Sequence, residues 1–329
     1  MNIIDGLSYD DILLIPKYSE VQSRSLVDTS VDLGKNIKLK IPIITANMKN
    51  ICEEDMANAI SSLGGLGILH RFCSIEEQIS IFRKCQNPDL TGASLGIQEE
   101  DKERAEKLAE AGCKIFCLDV AHAHNKFVGE MTNYLAKTYP SNLLIAGNVA
   151  TGEGANFLYE KGADVVKVNI GSGSICSTRI ETGNGVPTIT ALDSVAKVAR
   201  GKYKVIADGG ITSAGNLSKS LCFADAAMLG SLLAGTDETP GSIIYEDGRT
   251  YKRYDGSSTF KNSNIEGVQS LVPTKGPVKN IVQKLLDGLR SSLSYQGVDN
   301  LNDLKKDPQF VKITSAGLKE SHPHSVRVI

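Results

Sequence analysis

The sequence predicts an α/β barrel of eight parallel strands alternating with helices, and three observations lead to it. Eight short apolar runs recur along the chain, each followed by Gly, Asn, Asp or His. They are continuously apolar rather than alternating, which suits parallel strands buried on both faces. Helix-like segments lie between most of them at a spacing of about 20–30 residues, the rhythm of a TIM-type (β/α)8 barrel. A doubly wound open sheet is the competing architecture.

The runs are, in order, IPIITANM (41–48), GGLGILH (64–70), ASLGI (93–97), IFCLDVAH (115–122), LLIAGNV (143–149), VVKVNIG (165–171), KVIADGG (204–210) and AAMLGSLLAG (226–235). Between the third and fourth, EEDKERAEKLAEAG (99–112) is the clearest helix, with acids in its first turn and Gly112 at its end. IEEQISIFRKC and GANFLYEKGA are weaker but periodic. Two spacings break the rhythm. About 40 residues separate the sixth strand from the seventh, and the extra length is GSGSICSTRIETGNGVP (171–187). After the eighth strand a loop from Thr236 to Gly276, read as a mobile flap, precedes the next helix. Both leave the C-terminal ends of strands, where barrel active sites are built. No linker or low-complexity block divides residues 1–329, so one domain carrying a flap is expected.

Composition narrows the class. The 329 residues are 41% hydrophobic and 22% charged, with a net charge of -2. This is ordinary for a globular chain and gives no basic field for nucleic acid or an anionic membrane. The longest apolar run falls short of a membrane span. The opening MNIIDGLSYDD has neither a basic n-region nor an apolar h-region, so no signal peptide is expected. Seven cysteines, an odd number without CxxC spacing, read as reduced thiols of a cytoplasmic protein, most of them small core residues.

Cys176 is the exception among them. It stands in a Gly/Ser loop beside Arg179, which suits a nucleophile of depressed pKa, whereas the loop is too polar to need a packed hydrophobe. Gly171, Gly173 and Ser174 offer backbone groups and a hydroxyl to an anion, or carbonyls to a monovalent cation. GSGSIC is not a full GxGxxG fingerprint and carries no dinucleotide argument. ADGG (207–210) and LGS (229–231) end the seventh and eighth strands, where glycines let amides approach a phosphate, and Asp208 is placed to face ligand hydroxyls. LDVAHAHN ends the fourth strand with Asp119, His122 and His124. Two histidines without a third ligand make a metal site a poor reading, and a polar cofactor contact from Asp119 the better one.

The segments NIGSGSICSTR, IAGNVATGEGA, VIADGGI, MLGSLLAG and GLRSSLSYQG together resemble the family of IMP dehydrogenase and GMP reductase, from Ser8 to about Val326. The resemblance implies a (β/α)8 barrel, a purine mononucleotide substrate, a nicotinamide cofactor and a homotetramer. In both enzymes the cysteine attacks purine C2 to give a covalent thioimidate. The dehydrogenase hydrolyses it; the reductase expels ammonia from GMP and takes a hydride from NADPH to give IMP, a purine-salvage step.

Several features point to the reductase. TGNGVP has its T-G-x-G-x-P pattern, and TANM its A-N-M. The large regulatory insertion common in dehydrogenases is absent between the second and third strands. The flap, IEGVQSLVPTKG (265–276), has Leu271 and Thr274 where dehydrogenases carry an Arg and a Tyr that activate water, and neither is a base near neutral pH. The tail TSAGLKESHPH and KGPV resemble dehydrogenases instead, Ser257 stands where the reductase has the Met of its G-M-S motif, and Lys49 where an Asp commonly follows A-N-M or A-M. The lost pair outweighs the tail because it performs chemistry.

The resemblance therefore implies Cys176 as nucleophile, with Thr178 and Glu266 delivering the proton. It places Ser174, Gly210, Gly230, Ser231 and Tyr254 on the phosphate, and Asp208 with Gly209 at the ribose. Gly256, Ser257, Ser258 and Gly267 line the base. Arg71, Asp119, Val120, Ala121, Ile170 and Gly171 contact NADPH, Arg71 as partner for its 2′-phosphate. Potassium falls on carbonyls of Gly171, Gly173 and Cys176, with Arg179 shaping the loop. An NAD-dependent dehydrogenase lacking the insertion and a non-catalytic purine-nucleotide-binding barrel are the alternatives.

Overall fold

The computed structural model describes residues 3–256, 268–324 and 326. All eight apolar runs are strands of one parallel sheet: β1 Ile43–Thr45, β2 Gly67–Leu69, β3 Thr91–Leu95, β4 Ile115–Asp119, β5 Leu143–Val149, β6 Val165–Val168, β7 Lys204–Asp208 and β8 Ala226–Leu229. Their order runs β1-β8-β7-β6-β5-β4-β3-β2. The ends of that order meet: Thr45 donates to the Leu66 carbonyl at 3.0 Å and Leu66 to that of Ile43 at 3.1 Å. Closure removes both sheet edges, so the barrel is chosen over the open sheet. Interior residues such as Ile43, Ile68, Phe116 and Val166 are essentially fully buried.

The helices outside the barrel follow from local chemistry. They are α1 Glu54–Ser62, α2 Ile75–Lys84, α3 Glu100–Glu110, α4 Lys126–Thr138, α5 Gly152–Glu160, α6 Thr178–Thr182, α7 Thr188–Ala199, α8 Ala214–Leu221 and α9 Val278–Tyr295, followed by the short α10 Leu301–Leu304 and α11 Ser315–Glu320. Ser74 and Glu77 form a capping box at α2: the Ser74 hydroxyl accepts from Glu77 N at 3.1 Å and the Glu77 carboxylate from Ser74 N at 2.9 Å. Gly112, at φ +93°, ends the α3 turn. A hairpin, Val31–Gly34 with Ile37–Leu39, covers the N-terminal end of the strands. There Lys35 Nζ donates to the Pro140 carbonyl at 2.7 Å, three residues before β5 begins. Among the described residues no helix is long and apolar enough to cross a membrane.

One expectation is corrected. The described part of the flap is not an open loop but a three-stranded antiparallel sheet, Ile244–Glu246, Arg249–Arg253 and Leu271–Pro273. Asp247 and Gly248 both have positive φ, +49° and +72°, the combination that a two-residue hairpin turn needs. Asp-Gly between two strands announces such a turn.

Candidate active site

The C-terminal ends of the strands open on a cavity of about 410 Å³. Its floor is a buried lysine. Lys167 lies on β6, 2% exposed, and its ammonium meets Asp119 Oδ1 of β4 at 2.5 Å and Asp208 Oδ2 of β7 at 2.8 Å. Gly147 of β5 makes the room, since a Cβ there would stand 2.5 Å from Lys167 Cβ. Asn47 donates to Asp119 at 3.0 Å and Asn148 to Asp208 at 2.8 Å. Every carboxylate on the floor is thus paired and hydrogen-bonded, as buried charge requires. Burial opposes ionisation of Asp119, but the Lys167 ammonium overcomes it and holds the carboxyl below the usual range. For Lys167 burial is likewise outweighed, here by the two carboxylates, and its pKa is raised.

Above the floor runs the cysteine loop, leaving β6 at Asn169. Its shape is set by Arg179, whose Nε and Nη2 donate to the Ile170 carbonyl at 3.3 and 3.2 Å and Nη2 to that of Val186 at 2.6 Å. The guanidinium passes so close to Gly171 and Gly185 that a Cβ at either would lie within 2.7 Å of its side chain. Both glycines have positive φ as well. Arg179 is therefore a clamp across the loop; its guanidinium has donors and no acceptor, so it is not itself a cation ligand. The clamp presents Cys176, whose Sγ stands 3.2 Å from Thr178 Oγ1 at the start of α6. The loop is tied to the flap where Val268 N donates to the Ile175 carbonyl at 3.2 Å.

Beside this loop lies a second, small-residue end of the site. Asn169 donates to Ser172 Oγ and to the Asp208 carbonyl, drawing the loops after β6 and β7 together. Gly209 and Gly210, φ +85° and +74°, pack against Ser172. A Cβ on Gly230 would meet Tyr254 Oη at 2.9 Å, and that hydroxyl is hydrogen-bonded to Ser174. Burial pushes the Tyr254 phenol above its ordinary pKa, so it stays a hydrogen-bond donor. Tyr254 itself rides on the flap, where its N–H donates to Ser270 O at 2.9 Å.

Of the predicted residues, Arg71, Asp119, Val120, Ala121, Ile170, Gly171, Gly173, Cys176, Thr178, Asp208 and Gly209 line the cavity. Ser174, Gly210, Gly230 and Tyr254 form the second end, and Ser231 adjoins it, its carbonyl capped by Lys275 Nζ at 2.7 Å. Gly256 donates to the Val268 carbonyl at 3.1 Å. Ser257, Ser258, Glu266 and Gly267 lie outside the described residues. His122 and His124 stand with ring centroids 6.5 Å apart. Among the described residues no three His, Cys, Asp or Glu side chains could hold a metal together. Sequence reasoning missed Lys167, Asn47, Asn148 and Asn169. The signal was there: each is a polar residue inside or at the end of an otherwise apolar strand.

On the side of the cavity made by β2, β4 and β5, Asn148 Oδ1 and Arg71 Nε are buried without a hydrogen-bond partner among the described residues, an acceptor and a donor that suit a polar group of a cofactor. Arg71 Nη2 reaches the Asp119 carbonyl at 3.4 Å, and Gly96 leaves it space, since a Cβ there would lie 3.1 Å from its Nη1.

A family model described as "IMP dehydrogenase / GMP reductase domain" matches residues 6–324. The GMP reductase of Leishmania major is 31% identical, with 98% of this chain and 97% of that protein covered. The inosine-5′-monophosphate dehydrogenase of Bacillus subtilis is 32% identical, with 98% and 96% covered. Those alignments run over 480 and 471 residues against 329 here, so both relatives carry a long stretch with no counterpart in this chain. A crystal structure of a cysteine-to-alanine variant of GMP reductase from Trypanosoma brucei, in complex with guanosine 5′-monophosphate, matches with a TM-score of 0.93 at 30% identity over 99% of each chain.

Proposed function

Because this chain belongs to the IMP dehydrogenase / GMP reductase family, and so to the oxidoreductases of purine metabolism, we propose that it is a GMP reductase, converting GMP to IMP and ammonia with NADPH as reductant. The observation that carries the reading is the pairing of Cys176 Sγ with Thr178 Oγ1 at 3.2 Å over the cavity, with Leu271 and Thr274, neither of them a base, at the flap positions where a water-activating pair would stand. Leu271 is apolar, and the Thr274 hydroxyl is engaged by that of Thr250 at 2.5 Å. A site that makes the adduct and does not activate water suits the reductase.

In this reading the Cys176 sulfur bonds to C2 of the purine. The bond from C2 to the amino nitrogen then breaks, its electron pair going to nitrogen. A free amide ion cannot depart, so nitrogen takes a proton from the Thr178–Glu266 pair and leaves as ammonia, giving a thioimidate. NADPH, when bound, supplies the hydride that reduces C2. The C–S bond breaks as IMP forms, and the thiolate is restored. Asp208 receives the ribose hydroxyls. Ser174, Gly210, Gly230, Ser231 and Tyr254 hold the phosphate, and binding at that non-reacting end positions C2. Arg71, Asp119 to Ala121, Ile170 and Gly171 receive the cofactor. The homotetramer and the potassium ion belong to the same reading; a monomer in solution, or full activity without potassium, would remove them.

The deciding experiment is NADPH oxidation with GMP beside NAD reduction with IMP. The first is expected; rapid formation of xanthosine monophosphate would overturn the proposal. The dehydrogenase remains the second reading because relatives of that name are as similar, 29% to 32% identical.

A further inference from the structure

A second buried lysine lies outside the cavity, where the flap joins the barrel. Lys252 is 6% exposed, and its ammonium donates to three backbone carbonyls: Thr236 at 3.0 Å, Asp237 at 3.0 Å and Thr239 at 2.7 Å. An ammonium has three donors and no acceptor, so this charge is fully satisfied by oxygens of one turn. The turn begins at the proposed phosphate end: Leu233 and Ala234 amides both donate to the Gly230 carbonyl at 2.9 Å, and Thr236 N to that of Leu233 at 3.2 Å. Successive turns of this kind leave carbonyls short of donors: those of Asp237 and Thr239 are met by Lys252, which also joins the Thr239 amide and hydroxyl on the Thr236 carbonyl, at 3.2 and 2.7 Å. Two residues further along the strand, on the same face, comes Tyr254. Lys252 and Tyr254 are buried, and Arg253 between them is exposed. The same strand therefore plugs one side chain into the turn and delivers the next to Ser174 and Gly230.

We propose that Lys252 is a positioning residue for the substrate phosphate: its ammonium takes the place of a bound cation in the carbonyl cage and fixes Tyr254 Oη relative to the Gly230–Ser231 turn. The inference rests on the reading that this end takes the phosphate of a mononucleotide. A built-in comparison exists. Lys275, from the other side of the flap, caps the carbonyls of Ser231 and Leu232 at 2.7 and 3.2 Å, but it is exposed and has no tyrosine two residues away on its face. Water replaces its bonds readily, whereas nothing replaces those of Lys252.

The test is calorimetric binding of GMP, and of guanosine by displacement, to the full-length protein at constant potassium. Lys252→Met keeps the stem and removes the donors. It is expected to weaken GMP about 30-fold, the scale of buried acceptors left unpaired, and guanosine less than about twofold. Lys275→Met is expected to change GMP affinity less than about threefold. In Lys252→Ala, ammonium or methylammonium should recover most of the GMP affinity, where sodium at matched ionic strength does not. Unchanged GMP binding in Lys252→Met, equal weakening of GMP and guanosine, or no rescue by ammonium would overturn the proposal. If Lys252→Met does not fold, the Lys252→Ala rescue still decides. Failure of the wild-type protein to bind GMP is the failure of the functional reading instead. In that event amide exchange without nucleotide decides the clamp: Lys252→Met, and not Lys275→Met, should deprotect residues 230–239 and 250–254 together, and equal protection would sink it.

Discussion

The floor of the cavity is held by charge inside a closed barrel, and its rim by hydrogen bonds between loops. On the floor, three strands bring Lys167, Asp119 and Asp208 together, and their positions follow from strand register. On the rim, Cys176 is held by one arginine bonded to two carbonyls and by ties between its loop and the flap, Val268 N to the Ile175 carbonyl and Tyr254 Oη with Ser174. The difference teaches that losses at the two levels should register differently. Disturbing the floor should destabilise the whole fold, because a buried charge is left unpaired. Disturbing the rim should cost turnover with the fold intact, because loops open locally.

The largest effect expected at the rim is that of Cys176→Ala. NADPH oxidation should fall at least about a thousandfold, since no other group replaces the nucleophile, while calorimetric GMP affinity stays within about threefold. Turnover surviving this substitution would remove covalent catalysis from the reading.

On the floor, Lys167→Met leaves two carboxylates facing each other and should lower unfolding free energy by about 3 kcal/mol. The pH dependence has a definite sign. The folded-state pKa of Asp119 is depressed, so the stabilisation it gives is complete above the ordinary carboxylate value, about 3.9, and is lost as pH falls through the lower folded value. That of Lys167 is raised, so its contribution is complete below about 10.4 and is lost only as pH rises through the higher folded value. The difference between wild type and Lys167→Met in a urea titration should therefore be large from about pH 5 to 9 and shrink below about pH 4. A difference independent of pH would mean that the lysine acts through packing alone.

Arg179→Met sharpens the contrast from the other side. It strips the loop of its clamp, and kcat should fall about tenfold as Cys176 loses its alignment. The unfolding midpoint should move by less than about 2 °C, because the loop can disorder without the barrel. A shift as large as that of Lys167→Met would erase the distinction between the levels.

The same division explains what was legible in the sequence. The barrel could be read because its strands are apolar runs whose length and spacing are repeated eight times. The rim could be read because loops must solve their backbone problems with special residues: Gly171, Gly185, Gly209 and Gly210 all have positive φ, and they stand out as letters. Lys167 did not stand out. In VVKVNIG a lysine interrupts an apolar strand by one residue, and only the barrel's closure shows that its partners come from β4 and β7. The flap strands were missed for another reason. Their only local signal is Asp247-Gly248 and the alternation of Lys252, Arg253 and Tyr254, in a segment whose apolar content is too low to announce a sheet.

Tyr254→Phe should have the smallest effect and yet tests whether rim and flap act together. The change deletes one hydroxyl, which is bonded to Ser174 and lies against Gly230, and leaves the buried ring in place. Water can take the vacated place on the phosphate, so losing this one hydrogen bond should cost about 1 kcal/mol, and KM for GMP should rise about fivefold with kcat within about twofold. Burial raises the phenol's pKa above the ordinary value of 10.0, so the hydroxyl remains protonated and the ratio of wild-type to variant KM should stay level from about pH 6 to 9. A ratio that rises across that range would mean that the phenol ionises in the free enzyme. A fall in kcat with KM unchanged would place Tyr254 at the reacting end of the purine, and the phosphate end would have to be sought elsewhere on the rim.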